Sequence, residues 1–104
     1  MSVPPETIAI PPDTAPTLGA GRYRLATRLG EGGMACVYRV WDMRLRVWRA
    51  AKVMLPEFAR RQRLKARFER EAHTMAKLEH PNLVRVYDVG SVGSVPYLVM
   101  ELLP

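Results

Sequence analysis

Two charged residues stand where apolar ones are expected. Lys52 lies in "AAKVML", a run otherwise free of charge. If that run is a strand, Ala50, Lys52 and Met54 share one face, while Ala51, Val53 and Leu55 share the other. An ammonium among small and apolar groups needs an anion, because desolvating a lone charge is costly. A sheet-edge lysine that lays its stem on apolar surface and reaches water is the plainer alternative. The second residue is Glu71. Leu64, Phe68, Met75 and Leu78 recur at helical spacing, and position 71 falls in the gap on the same stripe. Either Glu71 faces the sheet, or the helix is turned slightly so that Ala72 packs and Glu71 lies at the border. In the first case Glu71 and Lys52 neutralise each other. The ammonium is then presented beside "LGEGGMACVY", residues 29–38, where it suits phosphate oxygens.

The glycine cluster in that stretch has its own alternatives. A dinucleotide-binding fingerprint requires the glycines to open a helix within a βαβ unit, but "CVYRVWD" after them is β-branched and aromatic. A Walker A loop requires Gly-Lys-Ser or Gly-Lys-Thr, and neither occurs. What remains is a glycine-rich hairpin, which serves equally as a plain turn or as a flap over phosphates. His73 lies adjacent to the helix stripe, and His80 before Pro81 reads as a helix end; neither is read as catalytic.

The elements that must position these residues follow from periodicity. "YRLATRL" alternates Tyr23, Leu25, Thr27 and Leu29 with Arg24, Ala26 and Arg28, a half-buried strand. "CVYRVWD" and "VWRAAKVML" give the next two strands. After Pro56, residues 57–80 read as one long amphipathic helix. "LVRVYDVG" and "VPYLVMELL" are two further strands joined by "SVGS". The order β-β-β-α-β-β predicts an α+β fold, a five-stranded mainly antiparallel sheet with one long helix. Residues 1–20 hold all five prolines that precede the first strand and few large apolar side chains, so they read as a disordered or extended tail. The structured domain is expected over 21–104.

Composition bounds the function classes. The chain has 104 residues, 48% hydrophobic and 25% charged, as for one small globular domain. No apolar run approaches the roughly 18 residues a membrane span needs. The N-terminus has no secretory pattern and there is a single cysteine, Cys36, so a cytoplasmic setting is expected. The net charge of +6 is concentrated in residues 44–70, with ten bases against two acids. No aromatics are read as interleaved to stack bases and no helix-turn-helix pattern is visible, so a solvated helix face is preferred to a nucleic-acid partner.

Taken together, these segments resemble the N-terminal lobe of a eukaryotic-type protein kinase, most closely the bacterial serine/threonine kinases. "LGEGGMACVY" is similar to the kinase Gly-rich loop, "RAAK" to the strand carrying the phosphate-binding lysine, and "EREA" to the helix segment carrying its glutamate partner. "LEHPNLVRVYDVG" and "YLVMELLP" are similar to the segments leading to the hinge.

The resemblance implies that Lys52 contacts ATP phosphates and that Glu71 orients it. It implies that Gly30, Glu31, Gly32, Gly33, Met34, Ala35 and Cys36 line the phosphate flap. Leu29, Val37 and Ala50 would cover the adenine, with Met100 as gatekeeper and Glu101 and Leu103 at the adenine edge. Ala35 stands at the third loop glycine, which suggests altered loop closure, since alanine tolerates positive φ poorly. No His-Arg-Asp or Asp-Phe-Gly segment occurs before Pro104. The expectation is therefore a lobe truncated at the hinge that lacks the Mg²⁺ ligands and has no turnover alone. The alternative is a non-catalytic regulatory module that docks on a partner kinase or a kinase C-lobe.

Overall fold

The computed structural model describes residues 10–78 and 84–103. Six strands form one sheet: β1 (Thr17–Leu18), β2 (Tyr23–Gly32), β3 (Ala35–Asp42), β4 (Val47–Met54), β5 (Val86–Val92) and β6 (Val95–Met100). Their order is β1-β2-β3-β4-β6-β5, and every pair is antiparallel. Two helices, α1 (Pro56–Ala59) and α2 (Gln62–Lys77), separate β4 from β5. The expected α+β class holds, with one strand more than the five expected.

The additional strand lies in the segment read as a tail. Thr17 and Leu18 pair with Arg24 and Tyr23, and Leu18 is buried. A two-residue strand has no period of its own, and its partner's edge alone makes it a strand. Residues 1–9 lie outside the described residues, as does the helix end expected at 80–82.

Alternation along β2 is broken twice, by register shifts between Leu25 and Thr27 and between Arg28 and Gly30. Bulges of this kind bend a strand and re-aim its side chains. The expected single helix is also broken. Arg61 takes an extended conformation and caps α2, so the four-residue α1 is a separate turn opened by Pro56.

The larger core cluster packs Leu18, Tyr23, Val40, Ala51, Tyr97 and Val99 on one side of the sheet. Gly90 faces Tyr97 across the β5–β6 ladder, and a Cβ there would stand 2.6 Å from the Tyr97 hydroxyl. Only glycine lets that ring lie flat on the strand. The second cluster, Ala72, Val86 and Leu98 with Phe68 and Met100 against them, seats α2 on β5 and β6. Among the described residues no helix is long and apolar enough to cross a membrane.

Candidate functional site

The glycine cluster forms the tip of the β2–β3 hairpin. Gly32 pairs with Ala35, leaving Gly33 and Met34 as a two-residue turn. Gly33 carries the positive φ, +60°, that such a tight connection requires. Ala35 is buried within β3 and is not among the positive-φ residues, so the anticipated conflict at this position does not arise. The Leu55 N–H donates to the Met34 carbonyl at 2.8 Å, tying the turn to the end of β4. The Cys36 thiol donates to the Gly30 carbonyl at 3.3 Å, across the hairpin from the Arg28–Glu31 ion pair.

Below the hairpin lies a cleft of 190 Å³. Leu29, Val37, Ala50, Met100, Glu101 and Leu103 line it, joined by Val84 and Leu102. The ladder explains the first four. Val37 sits opposite Lys52, and Ala50 sits opposite both Arg39 and Met100, so these side chains share one sheet face. Leu29 reaches it because the register shift frees it from pairing. The Glu101 N–H donates to the Arg85 carbonyl at 2.8 Å and fixes where β6 gives way to the segment 101–103. The walls are mostly apolar, with main chain along one rim, which suits a flat heteroaromatic ring. Val84 and Leu102 were missed because the sequence shows their apolar character but not which strand end they approach.

Lys52 emerges on this face between Val37 and Leu98 and is exposed. Among the described residues its ammonium is in no ion pair. Glu71 is paired instead with Arg67 one turn back, Arg67 Nε to Glu71 Oε1 at 3.1 Å. Ala72, 1% exposed, occupies the packing position. The turned-helix alternative is therefore the one this conformation shows, and the Lys52–Glu71 pair is not formed in it. Both partners are largely exposed, and such i,i+4 pairs contribute only about 0.3–0.5 kcal/mol. We expect Arg67→Ala to change stability by no more than about 0.5 kcal/mol in chemical denaturation. A larger loss would show that the pair does more than hold Glu71 loosely.

A second cluster braces the hairpin from its other end. Asp42, 1% exposed, accepts from Arg22 Nε at 3.2 Å and Nη2 at 3.0 Å. Its Oδ1 also accepts the Arg44 and Leu45 amides at 2.9 and 3.1 Å. Burial by itself pushes this carboxyl up, but the Arg22 hydrogen bond and the two amides outweigh it and hold it below the ordinary carboxylate value. Tyr23 donates to Asp88 at 2.7 Å, and burial first, then that bond, pushes its phenol upward.

A family model described as the protein kinase domain matches residues 23–104, which takes in the hairpin, the cleft, Lys52 and Glu71. The chain belongs to that family. Among its relatives is the serine/threonine-protein kinase PksC of Streptomyces coelicolor, 44% identical over 88 residues, a match covering 81% of this chain and 16% of that protein. Another is the serine/threonine-protein kinase PknB of Mycobacterium leprae, 44% identical over 92 residues, covering 85% of this chain and 15% of that protein. The chain thus spans less than a fifth of the curated relatives it matches. The kinase domain of Mycobacterium tuberculosis PknI superposes with a TM-score of 0.67 at 30% identity, over 79% of this chain and 33% of that one. The fold described above is the kinase N-lobe arrangement, and its relatives are bacterial serine/threonine kinases. Among the described residues no group of three His, Cys, Asp or Glu is placed to hold a metal. They offer no fit for a Mg²⁺ centre of their own.

Proposed function

We propose that this chain is the ATP-holding lobe of a serine/threonine protein kinase that passes the γ-phosphoryl group to a protein hydroxyl. Adenine enters the 190 Å³ cleft between Leu29, Val37 and Ala50 on one side and the 100–103 segment on the other. The Glu101 carbonyl and the Leu103 N–H address its edge. Backbone N–H groups of the Gly30–Gly33 hairpin cover the phosphates, and Lys52 holds their oxygens as a point charge. Glu71 orients Lys52 once it exchanges Arg67 for the ammonium, a weak bond to give up. Mg²⁺ accompanies ATP in such transfer, and its ligands are assigned outside the described residues.

The observation that carries this reading is the cleft. It gathers six residues that the sequence places in four separate segments. The test is an NMR titration with ATP, which reads binding even at millimolar affinity. Shifts should concentrate at Leu29, Val37, Ala50 and Met100. Saturating shifts elsewhere, or none there, would overturn the assignment. A docking role for the helix has its own support. Met75 and Leu78 near the C-terminal end of α2 are 37% and 50% exposed, and a 360 Å³ groove is lined by Arg70, Glu71, Thr74 and Met75. Such a surface suits a second domain and is compatible with nucleotide in the cleft.

A further inference from the structure

Tyr87 is 42% exposed, yet two guanidinium groups converge on its ring. That of Arg49 lies 3.8 Å from the ring centroid and that of Arg85 5.1 Å. The sheet builds this convergence. Val86 pairs with Met100 and Asp88 with Val99, so Tyr87 is the extra residue of a bulge in β5. Bulges re-aim side chains, and this one brings the ring to Arg49. Arg49 sits opposite Val40, on the face of β4 that carries Ala51 into the core. Ala50, the next residue, points the other way and lines the cleft. Arg85 stands one rung beyond Val86, where its carbonyl accepts the Glu101 N–H at 2.8 Å.

Two like charges on one ring call for a counter-charge. Their guanidinium carbons are no more than about 9 Å apart, within the screening length of physiological salt, so they repel. Among the described residues neither arginine is in an ion pair. Glu101 is in register with Arg85 and exposed, and its carboxylate pairs with neither. An anion that takes both guanidinium forks through separate oxygens lies about 4 Å from each guanidinium carbon, a span that this limit accommodates. The ring itself is occupied by the arginines. The site therefore offers charge and hydrogen bonds rather than a stacking surface for a nucleobase.

We propose that Arg49, Tyr87 and Arg85 form a docking site for a phosphorylated protein segment, with the phosphate monoester held between the two guanidinium forks. A phosphothreonine or phosphoserine carries roughly two negative charges and three acceptor oxygens, enough for both forks at once. Recognition of phosphorylated motifs by arginine clusters follows this chemistry. The ring holds both forks before the ligand arrives, which lowers the ordering cost of two long side chains. Because the site lies on the sheet face turned away from the cleft, it is independent of nucleotide binding there.

The test uses the intact 104-residue chain with ¹⁵N labelling at constant ionic strength. N-acetyl-phosphothreonine methylamide should move the Arg49 and Arg85 Nε–Hε signals along saturating curves in the millimolar range. The exposed Arg63 and Arg70 of α2 should show no saturation. Arg85→Gln should weaken binding about tenfold, as loss of one charge-assisted contact implies. Tyr87→Leu removes no charge and should still weaken it about threefold, because the forks are no longer held. The Val40 and Val99 amides should stay unchanged in both variants. Should Arg85→Gln disturb them, Arg85→Lys, which keeps the charge but not the fork, is read the same way. Unchanged affinity in the variants, or equal unsaturated movement of all arginine signals, overturns the proposal. So does inorganic phosphate binding more tightly than the ester, which would make the ligand a free ion. Arg49 and Arg85 signals that shift in Glu101→Gln without any ligand would make Glu101 the counter-charge and overturn it as well.

Discussion

Lys52→Met is expected to weaken ATP binding about tenfold and to leave adenosine binding unchanged. The cleft walls include Leu29, Val37, Ala50 and Met100, and Lys52 is not among the residues that line it. An ammonium contributes only where phosphate oxygens are present, so its removal should separate the two ligands. One charge-assisted contact at a partly screened site corresponds to roughly a factor of ten. The exposure of Lys52 and the engagement of Glu71 by Arg67 argue against a larger factor in this conformation. Because Lys52 is exposed, the melting temperature should move by no more than about 2 °C. Parallel titrations of the unmodified chain and Lys52→Met with ATP and adenosine, read at the Ala50 and Val37 amides, decide the matter. Equal loss of both ligands would mean that Lys52 acts through the fold, and unchanged ATP affinity would remove it from the site.

That prediction rests on residues that were conspicuous in the sequence, and the reason is local. A charge in "AAKVML" and glycines between two β-branched runs are departures from a period, visible within ten residues. The strands around them were legible for the same reason. Features set by distant partners were not. The β1 strand exists because the β2 edge accepts it, and the β2 bulges arise from how β3 must register with it. The helix break at Arg61 carries neither glycine nor proline, so no residue type announces it. The position of Glu71 was a near tie between two helix rotations. The Ala72 contact with Val86 and Leu98 decides it, and residues 14 or more positions away cannot be read from the helix itself.

Asp42 illustrates the division within one side chain. An aspartate that ends a strand and accepts N–H groups two and three residues on is a readable turn signal. Its pairing with Arg22, 20 residues earlier, is not. The arginine–aromatic stacks on Trp41, Trp48 and Tyr87 belong to the second kind. They set cations against aromatic rings on the folded surface, and one of those rings, Trp48, lies within the basic block 44–70 itself, where no interleaved aromatics were expected.

Asp42→Ala should destabilise the chain by about 3 kcal/mol. Breaking a buried pair by removing one partner costs about 3–5 kcal/mol, because the other charge stays behind. Here the Arg22 side chain is 29% exposed and recovers part of its hydration, which lowers that figure. The amides of Arg44 and Leu45, both exposed residues whose bonds to Asp42 are part-buried, lose their acceptor and raise it slightly again. In a domain of this size the loss corresponds to a fall of roughly 12–24 °C in melting temperature. Asp42→Asn keeps an acceptor for the amides and should cost about half as much.

The charge itself has a separate signature in pH. The folded Asp42 carboxyl is held below its ordinary value, so the unfolded chain binds its proton first. Its contribution is therefore complete above about pH 4, near the unfolded carboxylate value, and disappears as pH falls through the lower folded one. Thermal melts between pH 5 and pH 2 should show an acid limb that is shallower in Asp42→Asn; identical limbs would place the acid sensitivity elsewhere. Because Asp42 and Arg22 clamp the end of the β2–β3 hairpin opposite Gly33, the folded fraction of either variant should still bind ATP in the cleft. A parallel loss of affinity would mean that the far end of the hairpin sets the position of its tip.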